Sequence, residues 1–230
     1  MILIIAAMQE ELDALKALGS NVEDTLYKDI RIVKMMLSGK DVILCQSGVG
    51  KINASYTTSI LSLHFEPKLI INIGSAGGLQ DIQKVGDIVI ADLVLSHDFD
   101  IGEDTHKDPR FIYHTHSDIV DLTEKTVRSL KNNVHRGKIV SGDQFVTFES
   151  YAYKRIKEIH PDAICVEMEA SAIGAVASRL EIPFVIIRSI SDVPIKDGNE
   201  VEFEKYLLLA SKNSANITQA FVNEYKKNHI

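Results

Sequence analysis

Ala163-Ile164-Cys165-Val166-Glu167-Met168-Glu169 and Ile182-Pro183-Phe184-Val185-Ile186-Ile187-Arg188-Ser189-Ile190-Ser191-Asp192 decide the fold. Each is an apolar run that closes on acids. The opening run, residues 2–7, does the same and is followed by Glu10 and Glu11. Short continuous apolar runs of this kind read as strands buried on both faces. In an open α/β sheet, ligands bind outside the C-terminal ends of the strands. These three runs deliver carboxylates there. Such a cluster suits acid–base work on a neutral, hydroxyl-rich substrate, and it repels anions.

Outward from these runs, the chain alternates apolar and amphipathic segments. Strands are expected at 2–7, 30–37, 41–46, 68–73, 85–92, 136–141, 163–166 and 183–190. Helices are expected at 10–17, 51–63, 119–130, 151–159 and 170–180. A long amphipathic helix is expected at 202–227, with room for a break in its middle. Ser38-Gly39-Lys40 between two apolar runs predicts a hairpin. Residues 96–117, with Asp98, Asp100, Gly102, Asp104, Pro109 and several histidines, read as a long loop, and such loops are often functional. No linker, repeat or low-complexity tract interrupts the chain. The expectation is one α/β domain spanning 1–230, a central mixed and mostly parallel sheet flanked by helices.

Composition narrows the classes. The chain has 230 residues, 45% of them hydrophobic, which suffices for a sizeable core. The net charge of −7 and the scattered basic residues argue against a nucleic-acid footprint or an anionic membrane surface. Cys45 and Cys165 sit in apolar runs without motif spacing, as in a reducing cytosol. The apolar start lacks a basic n-region. No apolar stretch approaches the roughly 20 residues that span a bilayer. A cytoplasmic protein is expected.

Each motif has a bland alternative. Gly48-Val49-Gly50-Lys51 fails as a phosphate loop, because Cys45 stands where glycine is needed and Ile52 where Ser or Thr is. It reads as a tight strand-to-helix turn. Gly74-Ser75-Ala76-Gly77-Gly78 is no dinucleotide fingerprint. It is either a glycine-rich turn or a backbone that a ligand approaches, with Ser75 as a hydroxyl partner. Glu10 and Glu11 at a helix start could simply favour the macrodipole. Glu167 and Glu169 would share one side of an extended segment, or flank a solvated turn. Asp192 could cap a turn. Arg188 in an apolar strand needs a carboxylate partner, with Glu11 or another nearby acid the candidate. His97, His106, His114 and His116 match no zinc spacing, and Asp98, Asp100 and Asp104 do not continue into a calcium loop. No metal and no cofactor is expected. The absence of a Gly-x-Ser-x-Gly elbow disfavours a serine hydrolase.

Seven segments taken together resemble the nucleoside phosphorylase/nucleosidase superfamily, and within it the 5′-methylthioadenosine/S-adenosylhomocysteine nucleosidases. They are Ala7-Met8-Gln9-Glu10-Glu11, Ser47-Gly48-Val49-Gly50-Lys51, Ile73-Gly74-Ser75-Ala76-Gly77-Gly78, Val85-Gly86-Asp87-Ile88, Ser141-Gly142-Asp143-Gln144-Phe145, Val166-Glu167-Met168-Glu169-Ala170 and Arg188-Ser189-Ile190-Ser191-Asp192. They fall in the family's order and cover nearly the whole chain. The resemblance implies Asp192 as the general acid at purine N7, held by Ser191. It implies Glu11 as the residue that orients or activates water, with Arg188 beside it. Glu167, Met168 and Glu169 would bind the substrate, the last two through its ribose. Ser75 would lie near the sugar, and Ala76 and Gly77 near the base. Phe145 would stack on adenine while the Val146 backbone reads its edge. Met8 and Val49 would line the sugar and 5′-thioether pocket, and Phe203 would close it. A homodimer is also implied.

The chemistry is coherent. Cleaving an N-glycosidic bond needs a protonated purine as leaving group and a stabilised oxocarbenium-like sugar. The aspartate must hold a proton near neutral pH, which burial or neighbouring acids allow. Water attacks the opposite face, so inversion is expected by analogy with O-glycosides. A phosphorylase would need cationic or N–H donors for phosphate. Yet no arginine lies at 1–30 or 32–109, and Glu11 would repel the anion. Hydrolysis is therefore favoured over phosphorolysis. The rivals are a phosphorylase, a nucleosidase for another purine nucleoside, and a silent nucleoside-binding module. The family's loop often reads Tyr-His-Asp-Ala-Asp followed by aromatics. Here Ser96 replaces the tyrosine, and Phe99 and Phe111 are the lid candidates, or else ordinary loop anchors.

Overall fold

Alternating residues of the first strand set the layers. In β1 (Ile2–Ala6), Ile2, Ile4 and Ala6 join one apolar cluster, while Leu3 and Ile5 join another. Successive strand side chains point to opposite faces, so a strand apolar throughout must be covered on both. The computed structural model describes residues 1–102, 104–193 and 199–228. Its elements continue with α1 (Gln9–Lys16), β2 (Ser20–Tyr27), β3 (Ile30–Leu37), β4 (Lys40–Gln46), α2 (Lys51–Phe65), β5 (Leu69–Gly78) and β6 (Ile88–Ser96). There follow two 3-10 turns, β7 (Tyr113–His114), α3 (Ser117–Ser129), β8 (Val134–Ser141), α4 (Tyr151–Ile159), β9 (Ala163–Glu167), α5 (Ala170–Arg179), β10 (Phe184–Asp192) and α6 (Asn199–Asn228). Helices α1, α3 and α6 cover one face, through residues such as Leu12, Val127 and Phe221. Helices α2 and α5 cover the other, through Ala54, Leu61 and Ile173.

The sheet is mixed, with parallel pairing at its centre. Strand β1 lies between β4 and β5, parallel to both, and β5 continues parallel to β10. Strand β10 pairs antiparallel with β6, β6 parallel with β8, and β8 parallel with β9. Strand β9 returns antiparallel to Gly77 and Gly78 of β5. Five strands thus close on themselves, rather than forming a simple open sheet. The C-terminal ends of β5, β9 and β10 meet beside that of β1.

Several expected boundaries move. The 68–73 strand runs on through Gly78, because β10 continues to pair with it in parallel as far as Gly77, past one register shift. The glycine-rich segment is therefore strand, not turn. The strand expected at 85–92 begins only at Ile88. Gly86 has φ +93, and the Asp87 carboxylate accepts the Lys84 N–H (3.1 Å) and the Asn133 amide (3.1 Å), locking a turn. Strand β2 was not expected. Its sequence is polar and exposed, and it is held at the sheet edge by pairing with β3. Residues 96–117 are not all loop: β7 pairs with β6, although Glu103 lies outside the described residues. Helix α6 is a single 30-residue helix with no break. The hairpin stands as expected, with Ser38 and Gly39 both at positive φ, the geometry of a tight two-residue connection. Among the described residues no helix is long and apolar enough to cross a membrane.

Candidate active site

Glu11 occupies the third position of α1, and its carboxylate turns back over the β1–α1 junction. It accepts N–H bonds from Ala7 (2.9 Å) and Met8 (3.1 Å) on one oxygen. The other accepts the Ser75 N–H (3.0 Å) and hydroxyl (3.3 Å). A helix N-terminus favours such an anion. Four donors therefore fix a carboxylate that is only 1% exposed. The space for it comes from Gly74: a Cβ there would lie 2.6 Å from the Glu11 Oε1 and 2.4 Å from the Arg188 Nη1.

Arg188 enters the same centre from β10. Its Nη2 donates to Glu169 (3.1 Å), to Asn72 (2.8 Å) and, over a short contact, to Glu167. Its Nη1 donates to the Ser75 carbonyl (3.3 Å). The ion-pair partners of Arg188 are thus Glu167 and Glu169, while Glu11 is tied to backbone. Burial alone would lower the Arg188 pKa, but the three carboxylates raise it, so the guanidinium stays charged. Glu167 also receives the Ser141 hydroxyl and the N–H groups of Glu169 (2.9 Å) and Ala170 (2.8 Å) at the start of α5. Its carboxylate is consumed by the protein. It lines the cavity, but as a strut.

Glu169, two residues on, shares Arg188 with it, although the strand ends at Glu167 and Glu169 itself, at φ −132 and ψ −34, is no longer extended. Its other oxygen accepts the Gly50 N–H at the start of α2 (2.9 Å). Burial pushes its carboxyl up to about 7, with Arg188 opposing and Glu167 adding to the rise. The Gly48–Lys51 segment therefore presents its helix N-terminus to carboxylates, which agrees with its failure as a phosphate loop.

Asp192 closes β10. The register with β5 slips between Ile190 and Asp192, and such a bulge re-aims side chains. The Ser191 hydroxyl donates to Asp192 Oδ1 (2.8 Å) and approaches the Ala76 carbonyl (3.3 Å). Asp192 is buried at 3% exposure, so it is no surface turn cap.

These groups face one cavity of about 250 Å³. Every site residue expected from the sequence lines it. Glu11, Arg188 and Asp192 stand at its polar floor with Glu167, Glu169, Ser75 and Ser191. Met8, Val49, Ala76, Gly77, Phe145, Val146, Met168 and Phe203 form its largely apolar walls. The rings of Phe145 and Phe203 meet edge to face at 5.3 Å across the mouth. Sequence reasoning missed Asn72, Ser141 and Gln144. An asparagine inside Leu69-Ile70-Ile71-Asn72-Ile73 was the available signal, since a buried amide needs partners.

Phe99 and Phe111 lie elsewhere. They pack on each other at 4.9 Å and line a second cavity with Leu95 and Tyr113, so within the chain they anchor the loop and do not cover the site. Ser96, in place of the family's tyrosine, bonds the Ser171 hydroxyl (2.8 Å). His97 and His106 line a third cavity with His160, whereas His114 sits in β7 and His116 immediately precedes α3. Among the described residues no three His, Cys, Asp or Glu side chains are arranged to hold a metal ion.

Comparison with known proteins places this architecture. The family model described as the phosphorylase superfamily matches residues 1–223. A 5′-methylthioadenosine/S-adenosylhomocysteine nucleosidase of Geobacillus sp. is 36% identical, over 98% of this chain and 99% of its own. The nucleosidase of Neisseria meningitidis, solved with methylthio-immucillin-A, superposes with a TM-score of 0.90 at 32% identity, covering 96% of this chain and 98% of its own. That of Colwellia psychrerythraea, solved with adenine, gives 0.89 at 33% identity, covering 97% and 94%. The chain belongs to the phosphorylase superfamily, and its full-length relatives there include 5′-methylthioadenosine/S-adenosylhomocysteine nucleosidases.

Proposed function

We propose that this protein hydrolyses the N-glycosidic bond of 5′-methylthioadenosine and S-adenosylhomocysteine, releasing adenine and the free thioribose sugar. The relatives and the apolar cavity over an acidic floor support the substrate class. The observation that carries hydrolysis over phosphorolysis is the position of Glu11. The N–H groups of Ala7, Met8 and Ser75 form the nest that would hold an anion. The Glu11 carboxylate already fills it. Arg188 is engaged by Glu167 and Glu169.

Asp192, steadied by Ser191, delivers a proton to purine N7 and makes adenine a neutral leaving group. Such help contributes about 10²–10⁴ in rate. The negative potential of the floor favours the developing sugar cation. Glu11 orients water for attack on the anomeric carbon. Glu169 accepts from the ribose hydroxyls, with Met168 beneath the sugar. Phe145 and Phe203 hold the purine and close the mouth, and the Val146 backbone reads the base edge. Met8 and Val49 take the thioether side.

The working unit is a homodimer of single-domain chains in the cytoplasm, within a route that salvages methionine sulfur. Exposed Ile52 and Tyr56, one turn apart on α2, and exposed Phe99 and Ile101 give apolar surface for a second copy. The deciding experiment measures adenine release from methylthioadenosine with and without phosphate. Release in phosphate-free buffer with free methylthioribose establishes the hydrolase. A strict phosphate requirement would overturn the reading of Glu11.

A further inference from the structure

An ionic cluster outside the cavity ties its two walls together. The Lys51 ammonium makes a short contact with Asp98 and stands 3.7 Å from Asp143. The other Asp98 oxygen accepts the Asp143 N–H (2.9 Å). The Asp143 carboxylate in turn accepts the Lys51 N–H (2.8 Å) at the start of α2. Two consecutive backbone N–H groups at the start of α2 are thus held by acids from different segments, that of Gly50, just before the helix, by Glu169 and that of Lys51 by Asp143. Two residues beyond Asp143 stands Phe145, the purine wall. Behind the same segment, the His97 imidazole sits where a Cβ on Gly142 would be, 2.1 Å from it. Gly50 is also constrained, with φ +97 and the Asp143 carboxylate 3.1 Å from its would-be Cβ.

We propose that Asp98 and Lys51 are positioning residues: their contact with Asp143 sets the distance between the purine wall at Phe145 and Val146 and the ribose-binding Glu169. Neither Asp98 nor Lys51 lines the cavity. They act through the 142–146 segment and through Gly50. The proposal rests on the nucleosidase reading for its substrate, but the clamp itself is a statement about geometry. It assigns the Asp98–Lys51 pair a role in ground-state recognition, not in the chemical step. Loss of the clamp loosens purine and ribose contacts together, so KM rises while the proton transfer from Asp192 is left intact.

The test compares Asp98→Ala, Asp98→Asn, Lys51→Met and the Asp98→Ala/Lys51→Met double variant with the wild-type chain. For methylthioadenosine, KM is expected to rise about three- to tenfold in the Ala and Met variants. Their kcat is expected to stay within about twofold. Asp98→Asn, which keeps an acceptor for the Asp143 N–H, is expected to fall between them and wild type. The double variant is expected to be no worse than its worse parent, since both break one unit. Calorimetric adenine affinity, read on the same variants, must follow KM. Unchanged KM and adenine affinity, or additive losses in the double variant, would overturn the clamp. A fall in kcat that tracks a fall in Tm would also overturn it, by making the loop general support. If the wild-type chain binds adenine but cleaves nothing, the nucleosidase reading fails, and adenine affinity still decides the clamp.

Discussion

Two regions of this molecule use the same chemical groups to opposite ends. Under the cavity, Arg188 meets Glu167 and Glu169 with side chains 1%, 2% and 4% exposed. In the 97–111 loop, Asp104 pairs with Lys107, Asp108 with Arg110, and Asp100 with Arg155 from α4, all on the surface. Water screens the loop pairs, and such contacts contribute little. The buried set has lost its hydration and is tolerated only because every carboxylate is met by donors. It is weak as a source of stability and strong as a fixed template for charge. The difference shows where the fold accepts a cost in order to hold charges in fixed places.

The sharpest way to break this comparison is to alter the floor's chemistry without its packing. Asp192→Asn keeps the shape and the Ser191 contact but removes the transferable proton. We expect kcat on methylthioadenosine to fall by about 10²–10⁴, with nucleoside affinity retained. Steady-state kinetics with a parallel binding isotherm measures both. Substantial residual turnover would remove Asp192 from the general-acid role. Arg188→Met tests the other half of the claim. It leaves Glu167 and Glu169 buried without their cation, which is expected to cost about 3–5 kcal/mol in urea unfolding. A loss near that of a surface pair would show that the buried carboxylates do not depend on this cation.

How far the sequence disclosed this contrast depends on the kind of residue. Apolar runs such as Ile2-Leu3-Ile4-Ile5 and Val185-Ile186-Ile187 betrayed buried strands, because burial on both faces leaves no polar position. Acids at their ends marked the candidate site, and Glu11, Glu167, Glu169 and Asp192 converge on one cavity, whereas Glu10 stays outside it. Strand β2 was illegible, since Ser20-Asn21-Val22-Glu23-Asp24 is exposed and is strand only by pairing with β3. The closure of β9 onto Gly77 and Gly78 was equally hidden, because it depends on tertiary register and not on pattern. The partner of Arg188 was left open for a related reason. Glu11 is near in charge, but the backbone N–H groups of Ala7, Met8 and Ser75 claim it first.

Protons offer a gentler probe of the same two regions. Glu169 in the floor has its pKa raised to about 7 from an ordinary 4.5. The folded chain keeps a proton there that the unfolded chain has given up. Its contribution to stability is full below 4.5 and is lost as pH rises to about 7. His160, packed near the loop's His106, has its pKa lowered by burial to about 4 from 6.5. Its contribution is full above 6.5 and is lost as pH falls to about 4. The two slopes oppose each other where the windows overlap. Urea unfolding of Glu169→Gln through this range is expected to give stability that rises more steeply with pH than wild type. His160→Gln is expected to give the opposite change. Parallel curves for all three proteins would mean that neither group titrates differently on folding.

The smallest expected effect is the most direct check on the loop. Lys107→Ala and Arg110→Ala each remove one partner of an exposed pair, with side chains 68% and 72% exposed. The carboxylates left behind are hydrated, so no buried charge is stranded and no desolvation penalty appears. Neither side chain lines the nucleoside cavity. We expect Tm, kcat and KM to match wild type within error, alone and in combination, at low and at physiological salt. A clear loss of turnover from either would mean that the loop reaches a reaction centre in the working assembly, for instance that of a second copy. The contrast drawn between floor and loop would then hold only for the isolated chain.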